Sequence, residues 1–286
     1  MTLGEWLQTW LDLYVTPADL AENTKKCYNR AVRAALLSSL ASVPLERLTV
    51  FDLRRWLLQV AAKTPRAAQL DRVMLLQALR IAYKAGMAPQ SLCDPELLPE
   101  ITHKPAKAAV LTQEQLRAYL SAACADPGTL ALALMALGLR RSEALGVRWE
   151  AVDLAAGTLA VVGQRLPGQD ALSPCKTDSS TRVVALPAQL CAALRRLPRP
   201  ITGGWVCPVS HRHVYRLHAA LLKRLSLPKV TLHGLRHSFA TAAVLGGVPV
   251  KAVQGALGHA SYQITADLYA DHLPTVSAVS REVFSA

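Results

Sequence analysis

The stretch that decides how this chain folds is "TLHGLRHSFAT" (231–241), read together with "LGHAS" (257–261) and "TADLYADH" (265–272) downstream. His233 and Arg236 are three residues apart and share one face of a helix. Tyr269 follows on a short polar helix. Phosphate-binding and proton-transfer groups are thus concentrated in a region otherwise rich in Ala, Leu and Val. His233 and His237, four apart, also have the spacing of a zinc helix. Gly234, however, stands where a zinc-peptidase helix needs glutamate, and Arg236 would set a fixed cation beside the metal. An oxyanion suits these residues better, so neither a metal nor any other cofactor is expected.

Upstream, "LGLRRSEALGVRW" (137–149) carries a second arginine site. Arg140 follows the break at Gly138–Leu139 and precedes a helix starting at Ser142. A guanidinium there can grip a phosphate through two parallel hydrogen bonds. Glu143 is a partner that can orient it, while Arg141 faces solvent or a DNA backbone. Between the two regions, "TLAVVGQRL" (158–166) and "PCKTDSSTRVVALP" (174–187) alternate and contain β-branched residues, which predicts a small hairpin sheet with a polar turn at 177–181.

The 286 residues exceed one average domain. A formal charge of +12 and a pI near 9.7 favour a polyanionic partner. A membrane span is not expected, because the most apolar run, Leu130–Leu139, is too short and ends in Arg140 and Arg141. The N-terminus has an early Glu5 and no basic segment, unlike a secretory signal. Six cysteines without a C-x-x-C pair read as reduced thiols of a cytosolic, bacterial protein.

Residues 1–100 read as a small helical domain. Trp6, Leu7, Trp10, Leu11 and Tyr14 form a buried stripe at helical spacing. Asn23–Thr24 is expected to cap a second helix reaching Leu40 and bearing Lys25, Lys26, Arg30 and Arg33 as DNA contacts. Thr49 caps a third helix, and Thr64–Pro65 opens a fourth that Gly86 stops. Pro95, Pro99 and Pro105 break the periodicity, so residues 101–110 are an interdomain linker, with Lys104 and Lys107 as further DNA contacts. Residues 111–286 form the second domain, in which Thr112 caps the first helix.

In order and spacing, "LGLRRSEALGVRW", the lysine of "KTDSSTRVVALP", "HGLRHSFAT", "LGHAS" and "TADLYADH" resemble the tyrosine recombinases, the phage-integrase family. The resemblance covers residues 111–272, and residues 1–100 are similar to the family's helical core-binding domain. It implies a mainly α fold with a small antiparallel β-sheet in the C-terminal domain, arranged as a two-domain, C-shaped DNA clamp. Arg140 and Arg236 would hold the non-bridging oxygens of the scissile phosphate. Lys176 would protonate the leaving 5′-oxygen, His233 would assist proton transfer, and His259 would hydrogen-bond the phosphate. Tyr269 would be the nucleophile that forms a 3′-phosphotyrosyl link, with Glu143 and His237 in support.

The implied partners are double-stranded DNA at recombination sites and three further copies of the chain, as a homotetramer on two duplexes that is monomeric when free. An accessory directionality protein is a further candidate. The hairpin is closer to phage and conjugative-element integrases than to chromosome-dimer-resolving recombinases, whose turn is glycine-rich. The sequence begins straight at the helical region similar to the core-binding domain, as expected of a recombinase that recognises only core sites or of a chain whose arm-binding domain was trimmed. Gly234 departs from the family's usual aspartate and puts a local capping contact in doubt. The rival readings are a type IB topoisomerase-like or resolvase activity without partner exchange, and a catalytically silent DNA-binding regulator.

Overall fold

A computed structural model describes residues 1–103, 109–175, 180–201 and 203–258. The chain divides into two compact units, Met1–Ala106 and Lys107–Ala286.

In the first unit, helix α1 (Leu3–Trp10) is opened by reciprocal hydrogen bonds between Thr2 and Glu5. A π-turn at Leu11–Val15 continues it. That wider turn corrects the expected stripe: Trp6, Leu7, Trp10 and Leu11 are buried, but Tyr14 is rotated to the surface and Val15 takes the inward place. Helix α2 (Glu22–Leu36) starts before Asn23 without a side-chain cap and stops short of Leu40. Ser38 accepts from the Leu40 N–H and opens a separate 3₁₀ turn over Ser39–Ser42. Helix α3 (Val50–Lys63) begins with the Thr49–Asp52 capping pair. Helix α4 (Pro65–Lys84) has Pro65 in its first turn, where a missing N–H costs nothing. Trp6 and Trp10 pack with Leu53, Leu57, Leu75 and Leu79, and the Trp6 indole N–H donates to the Ala78 carbonyl of α4 at 3.0 Å.

The second unit opens with α5 (Gln113–Ala125), capped by Thr112 and Gln115. Helix α6 (Leu130–Ala136) is buried on every side, as its uninterrupted apolar run requires. Helix α7 (Arg141–Leu145) follows the Gly138 break. Then come β1 (Val152–Asp153), β2 (Thr158–Val161), β3 (Gln164–Arg165), β4 (Leu172–Ser173) and β5 (Arg182–Ala185). An antiparallel sheet in the order β1-β2-β5 pairs Leu159 with Val184, and β3 with β4 forms a separate ribbon. Helices α8 (Ala188–Arg195), α9 (His211–Arg224), α10 (Leu232–Leu245) and α11 (Val250–Leu257) complete the described chain. The fold is therefore mainly helical with small antiparallel sheets in the second unit. Among the described residues no helix is long and apolar enough to cross a membrane.

Two buried polar contacts fix α10, the helix that carries His233 and Arg236. The His218 ring of α9 lies between the Tyr119 hydroxyl of α5 (2.7 Å from Nδ1) and the Val230 carbonyl (2.8 Å from Nε2). The carbonyl can only accept, so Nε2 donates and Nδ1 accepts from Tyr119; burial pushes the His218 pKa down, consistent with a neutral ring. Ser238 donates to the Gly234 carbonyl at 2.7 Å and accepts from the Leu111 N–H at 2.8 Å. Tyr119→Phe leaves the buried Nδ1 without a donor. It should lower unfolding stability by about 1–3 kcal/mol, read from urea denaturation at neutral pH.

Candidate active site

Gly138 makes the site possible. Its φ of +89° lies in the left-handed region, and a Cβ there would come within 2.7 Å of the Leu257 side chain. Its carbonyl accepts from Nη1 of Arg236 at 2.7 Å, and Nη2 of Arg236 donates to the Leu257 carbonyl, also at 2.7 Å. Arg236 is only 1% exposed. Burial and the nearby Arg140 lower its pKa to about 9, which still leaves it charged at neutral pH.

Arg140 occupies the N-cap position of α7. Its backbone N–H and Nη1 donate to the two oxygens of Glu143 at 2.9 and 2.5 Å, while Nη1 also reaches Ser180 Oγ at 3.3 Å. Nη2 donates to the Gly258 carbonyl at 2.9 Å. Gly258, with φ +66°, ends α11 in the left-handed conformation that turns this carbonyl outward.

A third arginine, Arg182 of β5, completes the cluster. It donates from Nε to the Ala256 carbonyl at 2.7 Å, from Nη1 to the Ser180 carbonyl at 2.8 Å and from Nη2 to Glu143 at 2.9 Å. Burial would raise the Glu143 carboxyl pKa. The hydrogen bond and charge of Arg182, with the contacts to Arg140, outweigh this and hold it below the ordinary carboxylate value. The sequence reading assigned Arg182 no role, because its carboxylate partner lies 39 positions away.

Arg140, Arg141, His233 and Arg236 line a cavity of about 270 Å³, together with Ser142, Gln164 and Tyr215. Around it, Nε of Arg141, Nε of Arg236 and Nδ1 of His237 are buried without a hydrogen-bond partner. The two orphaned guanidinium N–H donors, beside fixed positive charge, suit an anion with several oxygen acceptors. Arg141 also donates to the Tyr215 hydroxyl and lies over that ring, with its guanidinium carbon 5.1 Å from the centroid. The His233 and His237 rings meet edge to face, 4.3 Å between centroids. Burial, then Arg236 and Arg140, lower the His233 pKa, making it a neutral base near pH 7. No group of three or more His, Cys, Asp or Glu able to hold a metal occurs among the described residues.

Thr231 caps α10 through its hydroxyl and the Gly234 N–H at 2.9 Å, so the helix start is satisfied without an acidic residue at position 234. A Cβ on Gly234 would sit 3.1 Å from the Ala109 carbonyl. The structure thus brings together Arg140, Glu143, His233, Arg236 and His237. Lys176, His259 and Tyr269 lie outside the described residues, as do Lys104 and Lys107. On α2, Lys26 and Arg33 are exposed. Lys25 donates to the Thr16 carbonyl, and Arg30 pairs at 2.8 Å with Asp71, which is fully buried. Part of the expected basic face is therefore spent within the unit.

The Phage integrase family model matches residues 109–275, and the chain belongs to that family. It is 30% identical over 289 aligned positions to tyrosine recombinase XerD of Xanthomonas axonopodis, covering 91% of this chain and 90% of the relative. It is likewise 30% identical to tyrosine recombinase XerC of Methylobacterium nodulans, covering 92% of this chain and 87% of the relative. Its fold is that of the Tn1549 transposon integrase solved with circular-intermediate DNA (TM-score 0.78, 22% identity, all of both chains).

His237 supplies a titration test. Its pKa is lowered from 6.5 to about 4 by burial, then by His233 and Arg236. The unfolded chain therefore binds more protons between these values, and stability is lost as pH falls from 6.5 toward 4. Urea unfolding should show this decline in the wild type and a shallower one in His237→Gln.

Proposed function

We propose that the chain is a site-specific DNA recombinase that cleaves and rejoins DNA strands through a 3′-phosphotyrosyl intermediate, integrating or excising a mobile element. Family membership supports the reaction class. The observation that carries the site assignment is the convergence of Arg140, His233 and Arg236 on one cavity, beside which the buried Nε groups of Arg141 and Arg236 lack partners.

In this reading Arg140 and Arg236 hold the two non-bridging oxygens of the scissile phosphate. Tyrosine has a pKa near 10, so only about a tenth of a percent is phenolate at neutral pH. Nearby cations lower that cost and offset charge building up on pentavalent phosphorus. The Tyr269 hydroxyl loses its proton to His233, whose lowered pKa keeps it able to accept. The phenolate oxygen then forms a bond to phosphorus while the bond to the 5′-oxygen breaks. Lys176 protonates that leaving oxygen, and His259 hydrogen-bonds the phosphate. A second DNA 5′-hydroxyl reverses the attack on the phosphotyrosine, so the phosphodiester energy is retained without a nucleotide.

The helical unit, Met1–Ala106, supplies further DNA contacts, for which Lys26 and Arg33 are the best-placed residues of α2. Four protomers on two duplexes, and an accessory protein that sets direction, complete the proposed assembly.

The test is incubation with genomic DNA flanking the coding sequence, followed by mapping of covalent protein–DNA junctions. Tyr269→Phe should bind the mapped site and form no adduct on a nicked duplex of it. An adduct in that variant would place the nucleophile elsewhere, with Tyr262 the next candidate. Arg140→Ala and Arg236→Ala should each cost at least ~3 kcal/mol in the transition state, about a hundredfold in cleavage rate. Near-wild-type cleavage by either would overturn the clamp assignment. Affinity for the site should fall steeply with salt as phosphate contacts release counterions, and a flat response would argue against DNA backbone contacts.

A further inference from the structure

Arg182 has a set of hydrogen-bond partners that the proposed chemistry leaves unexplained. Its side chain is 6% exposed, and each of its nitrogens donates to a different element. Nε takes the Ala256 carbonyl near the end of α11, two residues before Gly258 and three before His259. Nη1 takes the carbonyl of Ser180, four positions after Lys176 in the sequence. Nη2 takes the Glu143 oxygen that also accepts the Arg140 backbone N–H. The other oxygen of Glu143 holds the Arg140 guanidinium. A planar fork can satisfy all of these acceptors at once; an ammonium on a flexible stem cannot hold the same directions.

We propose that Arg182 is a positioning residue for strand cleavage, holding Glu143 against Arg140 while tying the backbone at Ser180 to the end of α11. It touches no substrate. It acts by fixing where Glu143, Ser180 and the end of α11 meet beside Arg140, and this inference rests on the phosphate-clamp reading of Arg140. Glu143 is faced by Arg140 from its own turn, by Arg182 from β5, by Arg236 from α10 and by Cys175 from the segment after β4. Without Arg182 the buried carboxylate loses its nearest cation from outside α7, so it takes up a proton at higher pH. A protonated Glu143 holds Arg140 less firmly, and cleavage is lost at the acid end of the pH profile first.

The experiment uses the full chain and a nicked duplex cut from the genomic DNA beside its coding sequence. It follows adduct formation in a single turnover from about pH 5 to 8, with thermal unfolding of each variant alongside. Arg182→Gln should cleave about tenfold more slowly at neutral pH, with its acid limb moved up by about one unit. Arg182→Lys keeps the charge but not the fork, so its acid limb should stay near the wild-type position while the rate still falls. If Arg182→Gln does not fold, the lysine variant decides alone: reduced cleavage with an unmoved limb supports positioning, and wild-type cleavage overturns it. A glutamine variant that folds, melts lower and keeps the wild-type acid limb has lost mere support, which also overturns the proposal. Arg140→Ala is run in parallel. If it is inactive while Arg182→Gln keeps wild-type rate and pH profile, this inference alone fails. If Arg140→Ala cleaves normally, the phosphate-clamp reading fails and this inference falls with it.

Discussion

Three guanidinium groups meet three consecutive carbonyls at the C-terminal end of α11. Ala256, Leu257 and Gly258 accept from Arg182, Arg236 and Arg140 in turn. A helix leaves its final carbonyls without internal partners, and its C-terminus carries partial negative charge. Both features are used here to hold like charges together. Burying one arginine costs several kcal/mol unless its charge and its N–H groups are matched. At this site Glu143 is the only carboxylate found in direct contact with the cluster among the described residues, and it is shared by Arg140 and Arg182. The cluster therefore stays net positive around a cavity that retains unpaired donors, which is the electrostatic state an incoming phosphate would neutralise.

The rest of the second unit can be understood as what keeps that meeting point in place. Gly138 adopts a left-handed turn so that its carbonyl reaches Arg236 while leaving room for Leu257. Helix α10 is anchored at its start by Thr231 and Ser238, and the chain before it by His218 through the Val230 carbonyl. The sheet brings Arg182 across to Glu143 and α11. None of these anchors reacts with anything; each removes a way for an arginine to swing out of line.

How much of this was legible in the sequence depended on how local each signal was. The capping pairs Thr49–Asp52 and Thr112–Gln115 act over three residues, so the starts of α3 and α5 could be read directly. The proposed site residues Arg140, Glu143, His233 and Arg236 are recognisable because their motifs are compact. Tyr14 was misplaced because a π-turn shifts the face of a helix without any residue type that announces it. The extent of α2 was overestimated because Ser38 caps a new turn where the apolar pattern runs on. Arg30 looked like part of a solvated basic face, since its partner Asp71 sits on another helix 41 positions later. Arg182 was passed over for the same reason: its meaning lies in a carboxylate and a helix end that only tertiary folding brings near.

Gly258 has a consequence of another kind. Its carbonyl is held by Arg140, and the chain that carries His259 and Tyr269 departs from it. In the proposed reading, one guanidinium would serve as both anion receptor and hydrogen-bond partner of the residue that ends α11. Two such roles are thermodynamically reciprocal: whatever free energy a bound anion adds to or takes from the Arg140–Gly258 bond, that bond returns to anion affinity in equal measure. Anion occupancy and the Arg140–Gly258 contact would then form a single equilibrium, readable from either end.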